Sequence, residues 1–363
     1  MQALATPRAA GSGQCSSQFS VGGVAVRLSG DDSAAVELVP SLMAFRAEPG
    51  LPDIRVRVEW IDKLSAAPGA QLFDSGALWR LYECEAGFQF DFRAPVFGEQ
   101  PYKRLLVDRD FCLATLQMSA EVSAAFPYAA PLGYPVDELL IMHRLTREKA
   151  IELHSCGIVR EDGTGNLFVG HSGAGKSTTT RLWMEREDVE ILSDDRIIVR
   201  RDEPERESSS GVETPCQCAG ARERKGILRL RGRSASPIAR FAQDDKSTKQ
   251  IPHRAFSPVR NDRGNMRMYG TPWHGEAAYA SPGSARLSRI FILEHGRGNV
   301  LTRLSPSQAV AELFARSFVP FHRHEYVESA LEFLQELVGA VPCYRYAFEP
   351  NDGAVERILE LRD

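Results

Sequence analysis

Gly170-His171-Ser172-Gly173-Ala174-Gly175-Lys176-Ser177 satisfies the pattern G-x-x-x-x-G-K-[ST] at every fixed position. That spacing serves phosphate chemistry. Glycines let successive backbone N–H groups close around phosphate oxygens, Lys176 reaches the β- and γ-phosphates, and the Ser177 hydroxyl is offered to Mg²⁺. Leu167-Phe168-Val169 reads as the strand entering this loop. The run from Thr178 to Met184 reads as the helix whose N-terminus faces the phosphates, so the binding segment extends to Thr178. A glycine-rich turn that holds a lysine by chance is the competing explanation, and the strand before and the helix after weigh against it.

Beyond the helix, Val189-Glu190-Ile191-Leu192-Ser193 reads as a strand that ends in the paired carboxylates Asp194 and Asp195. P-loop proteins hold a Mg²⁺ ligand at such a strand end. Alternating side-chain directions would send one carboxylate toward the metal and the other toward a different neighbour. A solvated strand end would show the same two acids. Upstream, residues 151–159 read as a strand, 162–166 as a tight turn and 167–169 as the returning strand, so the phosphate loop leaves an antiparallel hairpin. A hairpin in that place predicts a mixed sheet rather than the parallel sheet of the commonest P-loop folds. His154 lies inside the first strand of that hairpin; a lone histidine there is also compatible with a core or surface role.

These residues sit in a chain of 363 with a formal charge of −4. The composition is that of a soluble globular protein of one large or two ordinary domains. Neither nucleic acid nor a membrane is expected as a partner, since the charge offers nothing to polyanions and no apolar run is long enough to span a bilayer. Seven scattered cysteines fit reduced thiols and a cytoplasmic location. Residues 1–18 read as a disordered start without an apolar signal region. Residues 19–130 read as a strand-rich N-terminal domain, with runs such as Ile54-Arg55-Val56-Arg57-Val58 and Phe88-Gln89-Phe90-Asp91-Phe92, whose aromatics fill a sheet face. A second domain covers 135–350 and opens on a helix pattern at 136–145. Within it, 203–262 is polar and basic without apolar periodicity and reads as a disordered insertion. Residues 351–363 read as a C-terminal tail.

Residues 170–177, Ile191-Leu192-Ser193-Asp194-Asp195 and Leu153-His154-Ser155-Cys156-Gly157-Ile158-Val159 together resemble the catalytic domain of HPr kinase/phosphorylase. Gly270-Thr271-Pro272-Trp273-His274-Gly275-Glu276 is similar to a segment of HPr-kinase-related proteins often labelled phosphoenolpyruvate-carboxykinase-like. The resemblance spans about 135–202 and 264–350. It implies an α/β fold with a mixed-sheet P-loop kinase domain of the HPr-kinase/carboxykinase type, and ATP with Mg²⁺ as cofactors. The implied reaction is γ-phosphate transfer to a hydroxyl, a serine of a protein or peptide.

Carried over, Lys176 is the phosphate lysine, Ser177 the Mg²⁺ ligand, one of Asp194 and Asp195 the base, and His154 a neighbour of the transferred phosphate. Glu276 is a further metal-site carboxylate, and His274, Arg286 and Arg316 are candidates for phosphate contact. The glycine- and arginine-rich segment by which the bifunctional enzymes bind HPr is not found in the sequence, which argues against HPr as the substrate and leaves the reverse phosphorylase activity open. A nucleotide-binding regulator without transfer, and a small-molecule kinase or carboxykinase, are the alternatives. A homo-oligomer remains open.

Overall fold

The computed structural model describes residues 15–64, 69–76, 78–98, 100–126, 130–186, 188–202, 266–351 and 353–361. The stretch read as an insertion, 203–262, lies outside the described residues, as do 1–14 of the expected disordered start. Ordered structure begins earlier than 19, because Cys15 already pairs with Gly30.

β1 (Cys15–Val21) and β2 (Val24–Gly30) form a hairpin. β3 (Ile54–Ile61) then runs parallel to β2. β4 (Ala70–Asp74), β5 (Trp79–Cys84), β6 (Gly87–Phe92), β7 (Lys103–Asp108) and β8 (Leu113–Ser119) complete an eight-stranded mixed sheet of order β1-β2-β3-β8-β7-β6-β5-β4. Its faces follow the two-residue period: Ile54, Val56 and Val58 are buried while Arg55 and Arg57 between them are exposed. Phe88, Phe90 and Phe92 share the inner face and are fully buried, as their spacing predicts. Two short helices, α1 (Pro40–Met43) and α2 (Ala120–Ala125), flank the sheet; Leu42 of α1 reaches the core, and the Ser119 hydroxyl caps α2. α3 (Val136–Leu145), which the sequence places at the start of the second domain, sends Val136, Leu139, Leu140, Ile141 and Leu145 into this first core.

The second sheet starts with the expected hairpin, β9 (Ala150–Arg160) and β10 (Gly165–Val169), and the phosphate loop leaves β10 for α4 (Lys176–Arg186). β11 (Val189–Ser193) returns beside the last part of β9, and β12 (Arg196–Arg201) beside its first part. β13 (Met266–Tyr269) pairs antiparallel with β12. β14 (Ser284–His295) begins against β13 and continues parallel to β10. The pairings β10-β9-β12-β13-β14-β10 therefore close a ring, and the two long strands β9 and β14 each serve both of its layers.

β15 (Val300–Arg303) extends one layer through β17 (Cys343–Phe348), and β16 (Ser317–Phe318) adds a short edge to β9. α5 (Pro306–Phe314) starts on a capping box in which Ser305 and Gln308 exchange hydrogen bonds. With α6 (His324–Ala340) it covers one layer, where Leu313, Phe333, Leu334 and Leu337 meet Leu167, Ile290 and Ile292. α4 and α7 (Gly353–Leu359) cover the other face through Trp183, Val355 and Ile358 against Phe168 and Phe291. The residues read as a C-terminal tail thus hold a helix. No helix among the described residues is long and apolar enough to cross a membrane.

Candidate active site

The glycine-rich loop read as phosphate-binding hangs between the end of β10 and the first turn of α4, with Gly170 N–H donating to the His154 carbonyl and Thr179 N–H to the Gly175 carbonyl at 2.8 Å. Gly173 and Gly175 adopt φ of +80° and +102°, a region that side-chain-bearing residues avoid. A Cβ on Gly175 would also stand 2.4 Å from the Phe348 ring. His295, at the end of β14, brings its Nε2 to 2.7 Å from the Gly173 carbonyl oxygen and steadies the loop tip. His171, Ser172, Gly173 and Ser177 are exposed, Ala174, Gly175 and Thr178 half-buried, and Lys176 buried. The loop therefore presents backbone and hydroxyl to its open side and keeps the ammonium inside.

Lys176 Nζ donates to the carbonyl oxygens of Gly170 (3.0 Å) and His171 (3.4 Å), and lies 2.8 Å from His154 Nε2. The same ring nitrogen is 2.9 Å from Asp195 Oδ1. One nitrogen cannot donate to the carboxylate and accept from the ammonium at once, so the proton on Nε2 selects between the two contacts. Backbone pairing brings these groups together: Ser155 N–H donates to the Asp195 carbonyl at 2.9 Å and His154 N–H to the Arg316 carbonyl at 2.8 Å. Burial pushes the Lys176 ammonium below its usual value, against the pull of Asp195. For Asp195, burial works upward, but the His154 hydrogen bond and the Arg196 guanidinium outweigh it and hold the carboxyl below the ordinary carboxylate range.

Asp194 does something different from its neighbour. It is 2% exposed, and its Oδ1 and Oδ2 accept the backbone N–H groups of Gly275 and Ala277, each at 3.0 Å. Asp194, one of the two carboxylates expected as base or metal ligand, thus anchors the 270–277 segment through both of its oxygens. Glu276 is exposed beside that anchor, and His274 Nδ1 is 3.0 Å from the Gly275 carbonyl oxygen. Among the described residues no three His, Cys, Asp or Glu side chains converge to hold a metal ion. Of the other cationic candidates, Arg316 sits close enough to be the main cause of a lowered His171 imidazole, whereas Arg286 lies in the β13–β14 pairing opposite Arg267.

Four further residues belong to the site. Arg196 forms ion pairs with Asp195 Oδ2, Glu138 and Glu152, the last at 3.4 Å, and its guanidinium lies 4.6 Å from the centre of the Phe318 ring. Glu152 is fully buried two positions before His154, on the same side of β9, and burial followed by the Glu138 charge raises its carboxyl well above the usual value. Trp273 donates its indole N–H to Asp137 Oδ2 at 3.0 Å. The signal for Arg196 and Glu152 was present in the sequence as charge inside strand patterns; Glu138 and Asp137 look like ordinary acids of a first helical turn. Compared with known proteins, the chain matches no family model and no curated protein. The resemblance described above is therefore carried by the quoted residues alone.

Proposed function

We propose that this protein is a kinase that transfers the γ-phosphate of ATP to a hydroxyl, a serine of a protein or peptide. One observation carries the reading: the lysine of a phosphate loop stands 2.8 Å from His154, which is itself 2.9 Å from Asp195, a half-buried carboxylate held below the ordinary carboxylate range. A loop that only bound nucleotide would have no need of a proton acceptor beside its lysine.

The chain's donors suit the group it would bind. Two glycines at positive φ and the first turn of a helix offer N–H groups to phosphate oxygens. Ser177 in that turn and the nearby carboxylates are hard oxygen ligands of the kind Mg²⁺ takes. Mg²⁺ held there would neutralise charge on the phosphates. Asp195 accepts the proton of the acceptor hydroxyl as its oxygen bonds to the γ-phosphorus and the bond from phosphorus to the ADP oxygen breaks. His154 holds the Asp195 carboxylate in place, and Lys176 exchanges its contact with His154 for the transferring phosphate. Asp194 supports the 270–277 segment from behind.

The test is transfer itself. Purified protein with Mg²⁺ and γ-labelled ATP, added to lysate of its host, should label a serine-containing protein or peptide, identified by mass spectrometry. Binding of ATP without label in any protein, peptide or metabolite pool would sink the proposal; label confined to the low-molecular-weight fraction would replace the protein acceptor by a small molecule.

A further inference from the structure

The geometry points to α3 as a positioning element that sets both aspartates of the β11–β12 turn from the side of the N-terminal sheet. The inference rests on the kinase reading only for its effect on turnover. Two consecutive acids at the start of α3 reach two consecutive acids of the turn along separate polar arms.

In the first arm, Asp137 accepts the Trp273 indole N–H at 3.0 Å, and the segment that follows Trp273 donates its Gly275 and Ala277 amides to Asp194 at 3.0 Å each. In the second, Glu138 pairs with Arg196, which pairs with Asp195 Oδ2 and leaves Oδ1 to face His154. Thr271 ties the arms together, since its hydroxyl donates to the Arg196 carbonyl at 2.7 Å. Between them they leave each aspartate one orientation.

The base of both arms sits where the two sheets meet. Val136, Leu139, Leu140 and Ile141 of α3 are packed in the core of the eight-stranded sheet, which also takes in Ala150, Ile198, Trp273 and Ala280 from the second sheet's side, so the helix links the two. Behind Asp137 lies Lys103 of β7, buried and donating to the Ala130 carbonyl at 2.8 Å. Buried charge is costly to leave unpaired: Asp137, Glu138 and Lys103 are all at most 7% exposed, and Glu138 is paired with Arg196, Asp137 with the Trp273 indole and Lys103 with the Ala130 carbonyl. Helix packing alone would be served by apolar residues at 137 and 138. The arrangement instead transmits any shift of the N-terminal sheet to the carboxylates beside the phosphate loop.

Hydrogen–deuterium exchange of the full chain tests the first arm without reference to activity. Trp273→Phe, which keeps an aromatic ring and removes only the donor, should speed exchange of the Gly275 and Ala277 amides by about tenfold, with the β6 and β7 amides unchanged. Asp137→Asn alone, which keeps an acceptor oxygen for the indole N–H, should retain most of the wild-type protection. For the second arm, Glu138→Gln should lower kcat at least tenfold with the KM for ATP within about twofold, while Arg196→Lys, which keeps the charge, recovers part of what Arg196→Gln loses. Cooperative unfolding of each variant at a wild-type-like temperature shows that it is folded; should one fail to fold, its partner variant on the same arm decides. Unchanged exchange at Gly275 and Ala277 in folded Trp273→Phe overturns the first arm. An equal loss from Arg196→Lys and Arg196→Gln, or a rise in KM without a fall in kcat, overturns the second. If wild-type protein shows no transfer, the exchange result still stands or falls alone.

Discussion

Asp194 and Asp195 are adjacent, identical and opposite in use. Asp195 is held below the ordinary carboxylate range, chiefly because the His154 hydrogen bond and the Arg196 charge overcome its burial, so it stays ionised and able to take a proton at neutral pH. The sign follows from linkage: a carboxyl with a lowered folded value stabilises the fold above its unfolded value of about 3.9 and loses that contribution as pH falls through the folded value. Asp195→Asn should therefore lower kcat by several orders of magnitude, on the order of 10³-fold or more, with ATP binding measured by calorimetry little changed. Asp194→Ala should instead destabilise by about 1–3 kcal/mol in denaturant titration, because two part-buried amides lose their acceptor. A loss of stability from the first variant equal to that from the second would contradict the division of labour. Sequence could not separate the pair. What distinguishes them is a partner some eighty residues away for one and a strand neighbour for the other, and only the closed fold brings Gly275 to Asp194.

At the scale of elements, most of the site's supports announced themselves. The β9–β10 hairpin and the helix after the loop rest on local periodicity and turn chemistry, which act over a few residues. β4 is exposed throughout and offers no apolar alternation to read. The packing of α3 against the first sheet's core was not legible for another reason: a helix shows which face is apolar, not which core will take it. One elemental prediction concerns the gap between β12 and β13. Arg201 pairs directly with Met266, and Arg267 donates to Asp202 at 3.0 Å, so the two ends of the 203–265 stretch already lie side by side. Replacing that stretch by a four-residue hairpin turn should keep cooperative unfolding and add about 2 kcal/mol by reduced loop-closure entropy. Loss of folding, read by circular dichroism and thermal melting, would show that the segment contributes contacts of its own.

For the whole molecule, the two sheets meet along an aromatic seam. His143 of α3 stacks on Phe111 with ring centres 4.5 Å apart and meets His322 at 5.2 Å, while Arg323 pairs with Glu83 across the same boundary at 2.9 Å. Burial, with the neighbouring His322 next in effect, pushes the His143 ring down to about 3. The unfolded chain takes up that proton first, so His143 draws stability down by about 1.4 kcal/mol per pH unit as pH falls from about 6.5 toward 3. His143→Phe should flatten this limb and move the acid midpoint of unfolding to lower pH; an unchanged midpoint would place the acid sensitivity elsewhere. The ring of strands has a consequence for birth as well as for stability. The hairpin that bears the phosphate loop is complete by residue 169, yet β10 lacks its second neighbour until β14 has been made, with Val169 waiting for Ile292. On the ribosome the first sheet and α3 can settle while the loop's platform is still half-built, and a chain that stops short of β14 carries the phosphate-binding motif without the surface that shapes it.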